Sequence, residues 1–483
     1  MGYKEKAVVI GAGISGLSCA YRLRQLGIHC LVLEAKERAG GVIATIRRNG
    51  FLFEVGPQCP RFPDSIWRLV RELNLESEFV AGDAKAKRYI LRHGRLHPAP
   101  FSPGGLIATR LLGLTSKFRI LTEVFGSSRP PSQEESLADF VRRKFGEEVL
   151  DNLVDPIIST VFFGDAQKMG MEGAFPALVK WERNYGSLVR GAIRARKSER
   201  KPMMSDDSST EPRSAAIPGS FRVTDSLPSL GSFRSGMGAL PEKLAEELQE
   251  EIRYKAGITF VGLIQNEHGP SKTDWQIGMS SGEKIEGVHL ILAVPAYVAA
   301  ELLANIAPKL ASHLAAIEYS PMYAVSSAYE RAQVANTLEG FGFMVPRREG
   351  LQTICTFWNS SLFPQRAPEG KVLMTSFAGR GISGLAGAMS EEECARIVEE
   401  ENAKTLGITG EPVDRVVWKD PRALPQYNVG HAQRIKEIYG NLRALPNLYL
   451  AGNYLKGRSI GDCVEIGLRV AEDVHSHMRS KDI

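Results

Sequence analysis

The chain has 483 residues, 43% of them apolar and 24% charged, with a net charge of +5. It exceeds the ~250–300 residues at which one hydrophobic core stops growing, so two or three structural regions are expected. This composition excludes wholesale disorder, and so small a charge demands no nucleic-acid partner, while leaving room for anionic ligands or a membrane surface.

The six cysteines, at 19, 30, 59, 355, 394 and 463, form no CxxC pair. No disulfide framework, zinc site or attached haem is expected, and a reducing, cytoplasmic setting suits them. A strand begins by Lys6, which leaves no room for a signal or transit peptide. The longest apolar stretch, 290–300, is broken by Pro295 and closed by Glu301, so no spanning helix is expected.

KAVVI reads as a buried parallel strand, ISGLSCAYRLRQLG as a helix stopped by Gly27, and HCLVLEA as a second strand. Between them Gly11, Gly13 and Gly16 fit GxGxxG. Gly11 makes the tight turn, Gly13 lets the backbone approach a pyrophosphate, and Gly16 lets helix and strand pack closely. The phosphates then face free amides at the positive end of the helix. Glu34 closes the second strand, where a carboxylate can accept ribose hydroxyls, and an acid there argues against a 2'-phosphate.

Arg38, Gly40 and Gly41 follow directly, where a simple nicotinamide dehydrogenase would start another crossover helix. A glycine doublet lets a second segment pass close to the diphosphate, with Arg38 near enough to offset its charge. EVGP follows at 54–57. Residues 100–200 turn helical in pattern, and PGGLIATRLLGL at 103–114 reads either as a buried helix or as a segment lying in a bilayer interface.

Residues 198–230, rich in Ser, Pro and charge, read as a linker, and FRSGMGALPEKLAEEL restarts order with a helix. GVHLILAVP at 287–295 reads as another strand, and residues 317–380 alternate as an antiparallel sheet. NLYLAGNYLKGRSIGDCVEIGLRVAEDV then reads as a buried strand, a glycine-bearing turn and a helix starting near Gly461 or Asp462. A helix end at this point offers free amides that stabilise negative charge. The nine histidines are scattered, with no Ser/His/Asp set or metal cluster.

GAGISGL, EAKERAGG and EVGP resemble the FAD-dependent amine oxidase superfamily. KRYILRHGRLHPAP, VFFGDAQKM, FPALVKWE, GFGFMVP, LPQYNVGH and GDCVEIG resemble, more narrowly, the protoporphyrinogen oxidase family. The resemblance implies an α/β chain: a Rossmann-like FAD-binding domain with an α+β substrate domain and an inserted helical region. Expected boundaries are 1–85, 231–300 and 415–483 for the discontinuous FAD domain, 86–100 and 301–414 for the substrate domain, 101–197 for the helical region and 198–230 for the linker. For FAD it implies Gly11, Gly13, Ile14, Ser15, Gly16, Glu34, Ala35, Arg38, Gly41, Gly56, Pro57, Gln58, Ile258, Trp418, Gly452, Gly461, Asp462 and Val464.

For substrate it implies Arg88, pairing with a tetrapyrrole propionate, Gly342 and Met344 on one face of the macrocycle, and Phe377 on the other. A planar guanidinium suits a carboxylate, although Lys85 and Lys87 also allow a solvated basic run, and aromatics in a strand are often plain core. The pattern departs from the family at Arg380 after TSFAG, in the GNYLKG turn, and at Asn453, which replaces the glutamate of amine oxidases.

The implied activity is oxidation of protoporphyrinogen IX in porphyrin biosynthesis, with dioxygen as acceptor, no metal, and no strong general base. A peripheral membrane contact and a homodimer are compatible with it. The rival readings are coproporphyrinogen III oxidation, an amine oxidase, and a non-catalytic flavin-binding protein.

Overall fold

The computed structural model describes residues 5–126, 131–199, 230–265, 273–379 and 389–481. Residues 200–229 of the expected linker, and Arg380, lie outside them. The chain divides into two units, 1–84 with 228–318 and 433–483, and 85–227 with 319–432.

The first unit is built on a seven-stranded sheet. Glu5–Ile10, every side chain of which from Ala7 on is buried, runs parallel to Cys30–Leu33 on one side and to Lys284–Leu292 on the other. Ile252–Arg253 extends the parallel set beyond Cys30–Leu33, and Leu448–Leu450 beyond Lys284–Leu292. The antiparallel pair Ile258–Gln265 and Thr273–Met279 completes the other edge. Continuous apolar runs such as AVVI and LIL suit strands covered on both faces.

Helix Ile14–Gln25 begins where the first strand's glycine turn ends, and Gly27 follows its last turn in the left-handed conformation, as the sequence predicts. The C-terminal helix Ile460–Lys481 lies against it. They approach through Gly467, whose added Cβ would overlap the Ser15 carbonyl oxygen, so this crossing admits no side chain there. Leu17, Leu23, Val464 and Ala471 bury themselves between helices and sheet with Val9, Val32 and Ile291. The two ends of the chain therefore share one core.

The second unit holds another seven-stranded sheet, ordered Asp414–Pro425, Tyr319–Glu330, Lys371–Ala378, Thr353–Phe357, Gly342–Met344, Arg88–Arg92, Arg95–Pro98. It is antiparallel except where Gly342–Met344 runs parallel to Arg88–Arg92. One face buries Tyr329, Phe343, Val345 and Met374, and helix Glu391–Leu406 joins this packing through Leu406. The opposite face buries Met322, Ala324, Met344, Cys355 and Phe377 against Leu137, Phe140, Val141, Leu150 and Leu153 of the helical segment.

Two boundaries differ from those the sequence suggests. Helices Ala296–Leu303 and Pro308–Ala315 stay with the first unit, because they directly follow its central strand. Strand Asp414–Pro425 belongs to the second, where it pairs along Tyr319–Glu330. Its text, DRVVWKDPRALP, is interrupted by charge and Pro421, as an edge strand tolerates and a central one does not. The helical segment packs into the second unit, supplying most of the core cluster on this sheet face.

Candidate functional site

The glycine turn of the first unit separates the three glycines by cause. Gly11 has φ +102°, and an added Cβ would press on the Ala293 carbonyl at the end of the neighbouring strand. At Gly16 an added Cβ would overlap the Gly11 carbonyl. At Gly13 it would meet nothing within 4 Å. Packing therefore demands glycine at 11 and 16, whereas at 13 the bare backbone leaves space open over the first turn of a helix.

That turn carries no acidic residue, and Gly13 contributes no side-chain cap. Its amides thus keep the capacity for an anion that an uncapped helix end provides. The second glycine pair runs beside it: Gly40 N–H donates to the Ala12 carbonyl at 2.8 Å, and a Cβ on Gly41 would lie 3.4 Å from Gly13 Cα. Arg38 donates to the Ala39 and Gly41 carbonyls at 3.0 and 2.8 Å. Its guanidinium clasps this loop, which keeps a cation next to the open turn.

Glu34 is buried, and its Oε2 accepts from Ala12 N–H at 2.8 Å while its Oε1 accepts from Lys36 N–H at 2.9 Å. Each carboxylate oxygen has a second lone pair for a ribose hydroxyl. Ala35 follows in the exposed turn. These features fit a dinucleotide: an acceptor for the ribose, an open amide pole for the diphosphate, and two glycine loops close together.

Gly56 sits where a Cβ would overlap the Val42 carbonyl, and Gln58 donates to the carbonyls of Glu54 and Gly56, closing the turn around Pro57. Glu54, which the sequence reading passed over, ties this turn to a distant stretch. It is buried and accepts from Thr45 Oγ1 and Met237 N–H, both at 2.8 Å, while Gly238 N–H donates to the same Thr45 oxygen at 2.9 Å. The repeated glycines of RSGMG were its sequence signal.

At the C-terminal end, Ser459 and Asp462 form a reciprocal cap: Asp462 N–H donates to Ser459 Oγ at 3.1 Å, and Ser459 N–H to Asp462 Oδ2 at 3.0 Å. The Asp462 carboxylate thus helps to start the helix through its Oδ2. A Cβ on Gly461 would overlap Pro63. Val464 is buried in the core, and a Cβ on Gly452 would press on the Tyr454 ring. In the GNYLKG turn, burial first and Arg469 second push the Lys456 ammonium below the usual lysine range.

Ile258 is half-buried on the edge strand of the first unit. Trp418, which the resemblance implies at the cofactor, stands on Asp414–Pro425 in the second unit's sheet, opposite Ala324.

In the second unit, the four residues expected at the substrate share one face of the sheet. Arg88 is in register with Gly342, and Ile90 with Met344. Met344 is in register with Cys355, Cys355 with Phe377, and Phe377 with Ala324. Met344 and Phe377 are thus two strand spacings apart on one wall, about 10 Å. Both are buried. Gly342, at φ +134°, has a reason of its own, because an added Cβ would overlap the Thr356 carbonyl of the next strand.

Several phenylalanines that the sequence reading quoted within motifs but did not single out surround these residues. The Phe377 ring meets Phe163 at 5.2 Å and Phe357 at 5.8 Å, both edge-on, and Phe357 meets Phe341 at 5.6 Å. Phe163 holds a left-handed backbone, φ 47° and ψ 30°, at the end of helix Asp155–Phe162. That conformation is costly for an aromatic residue.

A family model described as flavin containing amine oxidoreductase matches residues 14–475. The chain is 32% identical over 488 residues to protoporphyrinogen oxidase 1, chloroplastic, of Arabidopsis thaliana, covering 98% of this chain and 88% of that one. It is 27% identical over 493 residues to coproporphyrinogen III oxidase of Bacillus subtilis, covering 99% of each. A solved structure from Exiguobacterium sp. 255-15, provisionally named a protoporphyrinogen oxidase, superposes with TM-score 0.79 at 24% identity over 99% of this chain and 100% of that one. At that identity the likeness concerns the fold alone. With a full-length family match, and a cradle whose open amide pole suits FAD, the chain belongs to the flavin-containing amine oxidoreductases and is an FAD-dependent oxidoreductase.

Proposed function

We propose that the enzyme oxidises protoporphyrinogen IX to protoporphyrin IX. The observation that carries this reading is the sheet face on which Arg88 borders a broad apolar row of Ile90, Gly342, Met344, Cys355, Phe357 and Phe377, while Arg92 on the same strand donates to the Leu111 carbonyl. A macrocycle that is apolar across its plane and anionic at one edge suits such a row, which the helical segment lines from the other side, and a planar guanidinium can hold a propionate through two parallel hydrogen bonds. The plant relatives' names support the same substrate.

Bound FAD supplies two-electron chemistry by taking a hydride equivalent. Three such oxidations, with the pyrrole protons leaving to water, convert porphyrinogen to porphyrin, and three dioxygen molecules carry off the six electrons as hydrogen peroxide. Aromatisation drives the reaction, so the chain has only to orient the ring and hold its carboxylate. Arg88 and the apolar row perform those tasks. In the first unit Gly11, Gly13, Gly16, Glu34, Arg38 and Gly41 hold the cofactor.

Arg88→Ala is expected to raise KM about tenfold or more with turnover nearly intact, since the contact exists equally in ground and transition states. Product mass tells which porphyrinogen is used. Conversion of coproporphyrinogen III alone, as the Bacillus subtilis relative's name describes for that protein, would replace the dicarboxylate reading.

A peripheral membrane contact is part of the proposal. No helix among the described residues is long and apolar enough to cross a membrane. Yet helix Leu114–Thr122 and the following turn turn their apolar stripe outward: Leu114, Phe118, Leu121 and Phe125 are 84%, 69%, 60% and 83% exposed, while Ser116 and Glu123 are buried. The spacing of four, three and four residues places all four on one side. The helix carries Lys117 and Arg119 and no acid. An apolar stripe flanked by cations suits an anionic bilayer interface.

The 103–114 segment accordingly divides its two readings, with Leu111 and Leu112 buried and Leu114 opening the stripe. Changing Phe118 and Phe125 to serine should weaken sedimentation with phosphatidylglycerol vesicles at least about tenfold. Unchanged sedimentation would remove the membrane contact.

A further inference from the structure

Resting on the reading of Arg88 as the propionate anchor, we propose that Phe341 and Phe101 are positioning residues that hold the Arg88 guanidinium ready for the carboxylate. The Arg88 Cζ lies 4.3 Å from the Phe341 ring centroid and 5.8 Å from that of Phe101. Both fall within the ~6 Å at which a ring face attracts a cation. The guanidinium therefore has two aromatic partners.

The closer ring is fixed by backbone and by packing. Phe341 N–H donates to the Lys87 carbonyl at 2.7 Å, which sets the residue beside Arg88, and Gly342 continues this alignment in register with Arg88. The Phe341 ring is backed edge-on by Phe357. Phe101 is 60% exposed, so its ring meets Arg88 without belonging to the core. An unrestrained arginine loses much rotamer freedom on meeting a carboxylate, and a ring that has already selected the rotamer removes part of that cost. Besides the rings, Arg88 Nη1 donates to the Ala86 carbonyl at 3.5 Å.

The test compares Phe341→Leu and Phe101→Leu with wild type on protoporphyrinogen IX and on its dimethyl ester, which lacks the anion. With the free acid, Phe341→Leu should raise KM about threefold, and Phe101→Leu by a smaller factor, with kcat held within twofold. With the diester neither variant should differ from wild type. Phe341→Tyr, which keeps the ring, should restore the wild-type KM. In an Arg88→Ala background, Phe341→Leu should add nothing.

Equal KM increases on acid and ester would make Phe341 a wall for the macrocycle and overturn the proposal. Unchanged KM in both leucine variants, with Arg88→Ala still raising it, would overturn the proposal alone. An Arg88→Ala variant with wild-type KM for the free acid would overturn it together with the substrate reading beneath it. Should Phe341→Leu not accumulate, the exposed Phe101→Leu decides on the same comparison.

Discussion

Gly13→Val protein is expected to fold as well as the cofactor-free wild type and yet to purify colourless. A Cβ added at this position meets nothing in the protein within 4 Å, so the fold is expected to lose little. It enters the space over the uncapped first turn of Ile14–Gln25, where a diphosphate would have to sit. Losing several charge-assisted amide contacts, each about 1.5–3 kcal/mol, should weaken FAD at least about a thousandfold.

Gly16→Val gives the contrasting result. Its side chain would overlap the Gly11 carbonyl, so this variant should lose melting temperature without FAD present. FAD titration alongside thermal melts of the cofactor-free proteins separates the two effects. A yellow Gly13→Val protein with wild-type affinity would remove the first turn as the diphosphate site.

The largest stability effect is expected at Glu182. This carboxylate is 1% exposed and accepts hydrogen bonds from Arg143, at 2.8 and 3.0 Å, while Lys144, itself 5% exposed, lies 2.8 Å away. Lys144 also faces Glu123 at 3.7 Å, and Arg143 pairs with Glu135. Glu123 in turn accepts from Ser187 Oγ and from the backbone N–H of Leu188 and Val189 at the start of the next helix. One buried charge network thus fastens helices Leu137–Lys144, Pro176–Tyr185 and Leu188–Glu199 to the turn that ends the exposed apolar stripe.

Removing one member strands buried charge, so Glu182→Gln should destabilise the protein by about 3–5 kcal/mol and also weaken vesicle binding. Adding Lys144→Met should recover part of the loss, because the stranded ammonium is gone. Burial by itself would raise the Glu182 carboxyl, but hydrogen bonds from Arg143 and Lys144 outweigh it and hold the group below its ordinary value of 4.5. A depressed carboxylate contributes stability above its unfolded pKa and loses it as pH falls through the folded one. The gap between wild type and Glu182→Gln should therefore be full near neutrality and shrink below about pH 4.5. A gap that persisted undiminished into strong acid would show that the carboxylate's charge is not what stabilises these helices.

Much of the cofactor cradle was legible because it is local. A buried run, a glycine turn and an amphipathic helix are decided within some thirty residues, and Gly11, Gly13, Gly16 and Glu34 each act on neighbours near in the chain or on an adjacent strand. The fold class and the union of the two chain ends followed from such pieces. Distance in sequence hid Glu54, whose partner Met237 lies far along the chain, and the helix-closing role of the Asp462 side chain showed only in its hydrogen bonds.

By itself, then, the sequence determined where strands, glycine turns and helices begin, since these depend on backbone freedom and the period of apolar side chains. Tertiary structure alone decided the rest. It assigned Trp418 to the second sheet by strand pairing, gave Gly342 a packing reason through the Thr356 carbonyl, brought two rings against Arg88, and turned the Leu114–Phe125 stripe outward. The physical reason is the same in each case. A pattern of apolar residues says that a face must be covered, but which surface covers it is settled only when distant segments compete for the same space.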